Sequence, residues 1–194
     1  MTAFYEERST GPTAAIAVQM QALVPVLETE RLILRAPKIE DFDTLADMLL
    51  GTRGKYYGNC QNREDAWGEF IQLTGTWFLR GHGAWTVTDK RNGNVLGFVH
   101  IGAEPGDHEH ELGYVVSNFA EGQSIAFEAS KAVRAHAFHV FELPSLVSYV
   151  HAPNTRSIAL AERLGATRDA AAEADMINEG EPCIVFRHTR AEAT

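Results

Sequence analysis

A strand, a turn and a helix start follow one another in Glu111 to Glu128, which reads ELGYVVSNFAEGQSIAFE. The run after Glu111 alternates and is rich in β-branched and aromatic residues, which predicts a strand. It breaks at Ser117-Asn118, and Gly122 precedes an Ala-rich segment, Ser124 to Phe138, that predicts a helix. The free backbone N–H groups at such a helix start favour a phosphate or pyrophosphate ligand.

Two interpretations of this segment stay open on the residues alone. It contains neither GxGxxG nor GxxxxGK followed by Ser or Thr, the patterns that mark known phosphate-binding loops. A strand, a turn and a helix in succession are also a common connection in α/β proteins. The segment is therefore either an anion-binding turn or ordinary connecting structure.

A second segment that could contact a ligand runs from Val147 to Ala166 and reads VSYVHAPNTRSIALAERLGA. Asn154 is a favourable N-cap residue, and Gly165 is favourable just after a helix end. These two residues bracket a predicted helix from Thr155 to Leu164. Asn154 therefore has two interpretations, a helix cap or a ligand contact.

Both segments resemble the acetyl-CoA-binding motifs of the GNAT superfamily of N-acetyltransferases, particularly its RimJ/RimL-type branch. Residues 121–126 fall on the family's turn, (Gln/Arg)-x-x-Gly-x-(Gly/Ala), and Asn154 to Ala166 match N-x-x-S-x-x-L-x-x-x-L-G-A. The stretch ETERLILRAP also resembles the family's opening strand. The resemblance spans about residues 27 to 190 and implies an α/β (α+β) fold. Its mixed, mostly antiparallel sheet would have about six to seven strands flanked by about four helices.

The resemblance implies acetyl-CoA as the cosubstrate and places its binding residues. Amides of the turn would hold the pyrophosphate, and strand amides would hold the pantetheine arm in the gap between two splayed parallel strands. The second motif would lie beside the same arm. The residues so assigned are Tyr114, Val115, Val116, Glu121, Gly122, Gln123, Ser124, Ile125, Ala126, Asn154 and Ser157.

Glu121 and Ser124 depart from the family pattern, which has Arg, Gln or an aromatic residue at the first position and Gly at the fourth. A carboxylate about 8 Å from a phosphate costs roughly 0.5 to 2 kcal/mol at effective dielectrics of about 80 to 20, unless it points to solvent. Ser124 can still donate its N–H, provided that the turn requires no positive φ there. The sequence alone does not decide whether these two departures weaken CoA binding. They also motivate an alternative function, a catalytically inactive acyl-CoA sensor or interaction module.

The reaction implied is acetyl transfer to a primary amine, of a protein N-terminus or a small molecule, by direct attack on the thioester. A strand amide near Val115 would hydrogen-bond the thioester carbonyl. Ser157 would donate a proton or a hydrogen bond to the CoA sulfur, although it could instead cap the helix or contact phosphates. Glu111 is the first candidate for the base, directly or through a water. Its alternative is an exposed carboxylate at a strand end.

Histidines and cysteines supply weaker candidates. His100, His108, His110 and His151 could each act as the base in place of Glu111. His108 and His110 are spaced as a metal pair, but the sequence supplies no third ligand, so no metal is expected. Cys60 and Cys183 are far apart and in no CxxC pattern, which argues against a zinc site or a disulfide scaffold and fits a reducing cytoplasm.

The segments before the central strand predict the frame that positions these residues. Residues 1–26 are expected to form an N-terminal extension outside the core, and residues 27–194 an acetyltransferase domain. A first strand is predicted within Leu27 to Arg35, a helix from Ile39 to Leu50, and a break from Gly51 to Gly58.

A second helix is predicted to start at Asn62, a good N-cap residue followed by acidic residues. In the resembling family the first two helices wall the acceptor pocket. Four aromatic residues in and before this helix could therefore contact the substrate, with core packing as the alternative: Tyr56, Tyr57, Trp67 and Phe70.

The remaining strands are predicted from alternation and turn residues. Asn92-Gly93 joins a hairpin of Gly83–Asp89 and Val95–Ile101. Because a helix connects the central strand to Leu146–His151, these two strands should be parallel. A last hairpin is predicted around Glu179-Gly180.

Composition bounds the class of protein. At 194 residues the chain is long enough for one domain with a core, and 45% of its residues are hydrophobic. The formal net charge of −9 argues against nonspecific nucleic-acid binding and weakly favours a cationic substrate. The short apolar stretch Ala14 to Val26 cannot span a bilayer, so a cytoplasmic protein is expected. Strand-end pairing in the resembling family also favours a homodimer.

Overall fold

A computed structural model describes residues 3–52, 54–57, 60–180 and 182–190. Within these ranges the chain forms one sheet of eight strands in the order β1-β2-β3-β4-β5-β6-β8-β7 and six α-helices. The strands are β1 Leu27–Glu28, β2 Leu32–Arg35, β3 Ala84–Asp89, β4 Val95–Gly102, β5 Glu111–Val116, β6 Leu146–Val150, β7 Thr167–Arg168 and β8 Ile184–His188. The helices are α1 Gly11–Gln21, α2 Phe42–Leu50, α3 Arg63–Arg80, α4 Ile125–His139, α5 Thr155–Arg163 and α6 Ala170–Asn178.

The mixed, mostly antiparallel α/β sheet is confirmed, with more elements than the sequence predicts. The first strand is split into the β1–β2 hairpin, which turns at Thr29, whose N–H donates to the Leu32 carbonyl at 3.0 Å. Gly58, within the predicted break, and residues 191–194 lie outside the described residues.

The hairpin predicted around Glu179-Gly180 is wrong. The Ala-rich segment before it forms α6, because Asp169 accepts a hydrogen bond from the Ala172 N–H at 3.1 Å and so caps a run of good helix formers. The partner of β8 on this side is instead β7, which precedes α6.

Helices cover both faces of the sheet. Ala129, Val133 and Ala137 of α4 pack on one face, against Leu112 of β5 among others, and Leu164 after α5 joins the same cluster. On the other face, α2 and α3 pack over β4 and β5, with Phe98 between them. Helix α6 covers β6 and β8 on that second face through Met176. The sheet therefore lies between two layers of helices, and its middle strands form the bottom of any site that opens between them.

The parallel strands β5 and β6 part almost as soon as they meet. They pair in register only at Glu111 and Val147, whereas β4 pairs with β5 along six residues. Past that point the Ser148 hydroxyl of β6 donates to the Leu112 carbonyl of β5 at 2.8 Å. The expected parallel crossover is confirmed, and its strands diverge into a gap.

The N-terminal segment is anchored at both ends. Every residue of α1 is at least partly exposed, but the Trp85 indole donates to the Pro25 carbonyl at 2.8 Å. At the other end the Tyr5 ring packs 5.1 Å from that of Trp67, and Arg63 forms an ion pair with Glu6 at 2.7 Å. None of the described helices has both the length and the apolar character required to cross a bilayer.

A buried histidine sits behind the gap. His188 of β8 is 2% exposed, and its Nε2 lies 3.1 Å from the Ser148 hydroxyl. Burial, and then the nearby Arg134, lowers the pKa of His188 to about 4. The unfolded chain binds a proton near pH 6.5, so the stability contributed by neutral His188 is complete above that pH and is lost as the pH falls towards 4.

We expect the lowered pKa of His188 to reduce the free energy of unfolding by about 2 kcal/mol when the pH falls from 7 to 5. Urea denaturation at the two pH values measures it. His188→Gln cannot titrate, so it should lose about 2 kcal/mol less than the parent protein over that interval. His139→Gln, on an exposed residue of α4, should behave like the parent. Equal acid sensitivity of parent and His188→Gln would contradict the lowered pKa.

Candidate active site

A cavity of about 980 Å³ opens where β5 and β6 diverge. The start of α4 and the start of α5 line one end, and the 3-10 turn Gly54–Tyr56, α3 and the β4–β5 loop contribute to the other. Of the residues that the resemblance assigns to the cofactor, all but Gln123 line it. Gln123 instead donates from its side chain to the Phe119 carbonyl at 2.6 Å.

The start of α4 presents uncapped amides to the cavity. The first residues of a helix have no intrahelical acceptor for their N–H groups, and Ser124, the N-cap residue, makes no side-chain capping bond. Ile125, Ala126 and Phe127 all line the cavity. This is the arrangement that a phosphate or another anion requires, with the positive end of the helix dipole behind it.

The turn before α4 does require a positive φ at Ser124. Gly122 has φ 72° and Ser124 φ 60°, ψ 19°, a left-handed conformation that costs a non-glycine residue about 1 kcal/mol or more. The condition under which Ser124 could replace Gly at no cost, that the turn needs no positive φ at this position, is therefore not met. The serine does provide a contact that glycine could not, because its hydroxyl accepts a hydrogen bond from Arg163 at 3.0 Å.

Two arginines of α5 surround the turn with positive charge. Arg156 forms an ion pair with the Glu121 carboxylate at 3.0 Å. The Arg163 guanidinium lies 4.0 Å from the centre of the Phe127 ring, a cation–π contact, while it reaches Ser124. The repulsion expected between Glu121 and a phosphate is thereby offset by a cation in contact with it. The sequence shows both arginines but not that α5 brings them to this turn.

The second motif lies across the gap from the turn. Asn154 caps α5, because its Oδ1 accepts from the Ser157 N–H at 3.3 Å, and both residues line the cavity. The Tyr114 hydroxyl donates to the Ser157 carbonyl at 3.2 Å. Burial raises the pKa of Tyr114 to about 12, so this phenol keeps its proton at neutral pH. This hydrogen bond of Tyr114 therefore joins β5 to α5 across the gap between β5 and β6.

Only alternate residues of β5 direct their amides into the gap. Val147 N–H donates to the His110 carbonyl on the β6 side, and Ser117 N–H donates to Leu96 on the β4 side, both at 2.9 Å. By the two-residue period of a strand, Tyr114 and Val116 face the gap while Val115 faces β4. The assignment of the Val115 amide to a ligand is therefore wrong.

Glu111 takes part in a chain of three polar side chains. Its carboxylate lies 3.8 Å from Nε2 of His100, and Nδ1 of His100 lies 3.0 Å from the Tyr57 hydroxyl. Burial, and then the charges of Glu111 and Glu104, hold the pKa of Tyr57 well above its usual range. The phenol therefore keeps its proton, and where it donates this proton to Nδ1, His100 presents its Nε2–H towards Glu111.

Gly113 provides the space for the imidazole. A Cβ at this position would lie 2.1 Å from Cε1 of His100, so no side chain fits there while the ring stays in place. His100 is only 3% exposed and sits opposite Gly113 in the β4–β5 register. The glycine of the ELGY sequence thus serves to bury the ring beside Glu111.

Three further carboxylates line the same end of the cavity. Glu69 comes from α3, and Glu104 and Asp107 come from the β4–β5 loop. Burial is the main cause that raises the pKa of all three. Glu104-Pro105-Gly106-Asp107 is a tight turn: Gly106 has φ 99°, and the Asp107 N–H donates to the Glu104 carbonyl at 3.0 Å. The Pro-Gly pair flanked by acids was the sequence signal for this group.

The residues predicted to contact the substrate divide into two pairs. Tyr56 and Tyr57 line the cavity, and the Tyr56 hydroxyl reaches the Pro153 carbonyl at 3.4 Å. Trp67 and Phe70 do not line it; they pack around Phe42 beneath α2, so core packing is the outcome for both.

The weaker histidine candidates are separated. His151 lines the cavity with its ring 6.1 Å from that of Tyr56. His108 pairs with Glu179 at 2.9 Å, and the His110 ring packs 5.0 Å from that of His82. Among the described residues no three His, Cys, Asp or Glu side chains are grouped as metal ligands.

Comparisons with known proteins agree with this geometry. A family model described as the acetyltransferase (GNAT) domain matches residues 31–167. An acetyltransferase from Agrobacterium tumefaciens str. C58 is 34% identical, with a TM-score of 0.79, over 86% of this chain and 95% of that one. A protein of Vibrio cholerae described as a ribosomal-protein-serine acetyltransferase is 24% identical, with a TM-score of 0.65, over 84% and 97%. A spermidine N-acetyltransferase of the same species is 16% identical, with a TM-score of 0.64, over 85% and 97%. The last two show a likeness of fold alone, whereas the family model covers most of the chain. The chain therefore belongs to the GNAT acetyltransferase family.

Proposed function

We propose that the protein transfers an acetyl group from acetyl-CoA to a primary amine by direct attack. The observation that carries the proposal is the single cavity between β5 and β6. It joins an uncapped helix start, suited to a pyrophosphate, to a carboxylate–imidazole pair suited to an amine. Neither end alone would distinguish a transferase from a binding protein.

The cofactor would lie along the gap. The amides at the start of α4 would hold its pyrophosphate, and Arg156 and Arg163 would supply positive charge beside it. The backbone groups of Tyr114 and Val116 face the gap and are suited to the amides of the pantetheine arm. When bound, acetyl-CoA would supply the activated acyl group, a thioester.

Glu111 is the proposed base. It accepts a proton from the incoming ammonium, directly or through a water, and the free amine then attacks the thioester carbon. The new C–N bond forms as the C–S bond breaks, and the thiolate leaves with the electron pair. The second proton, which the attacking nitrogen loses on becoming an amide, goes to this thiolate and gives the free thiol. His100 is a positioning residue: its Nε2–H faces the carboxylate, and Tyr57 fixes its tautomer from the other side.

Ser157 is proposed to assist the leaving thiolate. It is in the first turn of α5 and lines the cavity, and its hydroxyl could donate a hydrogen bond to the sulfur. Tyr114 cannot take this role in the same arrangement because its proton is already donated to the Ser157 carbonyl. A free thiol has a pKa near 8.5, so the proton is useful rather than indispensable at neutral pH.

The acceptor and the assembly are finer proposals. The motif resemblance supports the RimJ/RimL-type branch, and the fold neighbours include proteins named for a ribosomal protein and for spermidine as acceptors. The exposed apolar side chains of Ile16, Val18 and Met20 on α1 support a homodimer that uses the extension formed by residues 1–26. The inactive-sensor alternative rests on Glu121 and Ser124: the ion pair with Arg156 weakens the first argument, whereas the positive φ of Ser124 supports the second.

Binding of acetyl-CoA is the first test. At about 100 times Kd the ligand should stabilise the protein by about 2.7 kcal/mol and raise the thermal midpoint by a few degrees. Free CoA should act alike and ATP should not. Arg156→Glu puts a second carboxylate beside Glu121, so we expect on the order of tenfold weaker binding of acetyl-CoA.

Lys131→Glu is the matched control, since it makes the same charge change on an exposed residue of α4 outside the cavity. It should bind like the parent protein. Absence of any shift with acetyl-CoA would overturn the cofactor assignment. Parent-like binding by Arg156→Glu would reject the role of that arginine alone.

Loss of the base should slow the chemical step without affecting the cofactor. We expect Glu111→Gln to lower kcat by roughly 10²- to 10⁴-fold, with acetyl-CoA affinity unchanged within about twofold. The deficit should shrink as the pH rises, because more of the acceptor is then already deprotonated. Initial rates between pH 6.5 and pH 10, with free thiol as the readout, measure both effects. Glu162→Gln, exposed on α5, should retain the parent rate; a parent-like rate for Glu111→Gln would exclude it as the base.

A further inference from the structure

The acceptor end of the cavity has more negative charge than an acetyl transfer requires. Glu69, Glu104 and Asp107 line it in addition to the proposed base. Among the described residues, no Lys or Arg forms an ion pair with any of the three. Lys55, which also lines the cavity, lies instead over the Tyr56 ring, 5.1 Å from its centre. Glu69 and Asp107 are half-buried and Glu104 is exposed, and their negative charges repel one another at this end of the cavity. A cationic ligand among them would therefore be stabilised.

His100 independently indicates a ligand at this end. It is 97% buried, it lines the cavity, and its Nε2 has no hydrogen-bond partner among the described residues. The nearest acceptor is Glu111, at 3.8 Å, beyond hydrogen-bond distance. A buried, unpaired ring nitrogen costs free energy, and a polar group placed between His100 and Glu111 would satisfy both.

These two observations assign different parts of an acceptor to different residues. An amine must lose its proton before it attacks, so the reacting nitrogen belongs beside the Glu111–His100 pair. A cluster of three more carboxylates would oppose that deprotonation if it held the same nitrogen, because negative charge raises the pKa of an ammonium. The cluster is suited to a second nitrogen that stays charged throughout.

Resting on the acetyltransferase function proposed above, we propose that the acceptor is a short aliphatic diamine or polyamine. Its distal ammonium lies among Glu69, Glu104 and Asp107 while its reacting amine lies at Glu111. One nitrogen gives a first proton to Glu111, gains the acetyl group and gives a second proton to the leaving thiolate; the other nitrogen leaves the site still protonated.

A slender acceptor also fits the cover of the cavity. The Tyr56 hydroxyl donates to the Pro153 carbonyl at 3.4 Å, and the Tyr56 ring packs near His151. This contact joins the turn before α3 to the β6–α5 loop across the site. The tip of a folded protein would have to break it, whereas an alkyl chain would not.

The test compares two acceptors that differ in one charge. These are the terminal diamine of butane and the amino alcohol of the same chain length, each at saturating acetyl-CoA. We expect kcat/KM for the diamine to exceed that for the amino alcohol by on the order of tenfold, which is about 1.4 kcal/mol and lies within the range of an ion pair at a partly shielded site. Glu69→Gln with Glu104→Gln should remove most of this preference, so that the ratio of kcat/KM for the diamine to kcat/KM for the amino alcohol falls towards one.

Glu64→Gln is the control, on the same helix as Glu69 but exposed and outside the cavity, and it should keep the preference. Asp107 is left in place because its carboxylate accepts from the Glu104 N–H at 2.6 Å and shapes the turn.

The possible results distinguish a failure of the diamine proposal from a failure of the proposed acetyltransferase function. Diamine and amino alcohol used within about threefold of each other would overturn the second-cation assignment and leave the acetyltransferase intact. A lysine-rich peptide acetylated at its N-terminus in preference to the diamine would overturn the small-molecule acceptor. Absence of both acetyl-CoA binding and transfer to any of these amines would instead overturn the proposed function itself.

Discussion

The divergence of β5 from β6 is the constraint on which the site depends. The two strands pair at Glu111 and Val147, and a serine hydroxyl supplies the next bridge, to Leu112. Beyond it the backbone groups of Tyr114 and Val116 have lost the neighbour that a regular sheet would give them. Unpaired backbone groups at the bottom of a cavity are costly unless water or a ligand satisfies them. The sheet therefore keeps unused hydrogen-bonding capacity in its middle, where a ligand containing amides can use it.

Charge is distributed along this gap with opposite signs at its two ends. The chain carries a net charge of −9, but Arg156, Arg163 and the helix start make the α4–α5 end electropositive. The other end collects carboxylates from α3 and the β4–β5 loop. An anionic cofactor and a cationic acceptor would thus be sorted by electrostatics before any specific contact forms. Net charge alone gives no hint of this polarity.

Local signals made much of the frame predictable from the sequence. Asn62, Asn154 and the Asn92-Gly93 turn act as their residue types dictate, and the helical crossover makes β5 and β6 parallel as expected. Glu179-Gly180 predicts a hairpin turn, but the Ala-rich run before this pair favours a helix more strongly and forms α6. Strand alternation could have shown that Tyr114 and Val115 face opposite neighbours, but only once the pairing of β5 with β4 was known.

The site was less predictable because its charges come from distant segments. Glu69 is about forty residues from Glu111 in sequence, and the packing of α3 over β3 and β4 brings it to the cavity that Glu111 lines. Gly113 and His100 show the same dependence on packing, because the His100 ring occupies the space that a side chain at position 113 would need. A side chain at the first position excludes the imidazole at the second. The two positions should consequently exchange together during evolution: a lineage that replaces this glycine must give up the ring as well, and must orient its base by some other means.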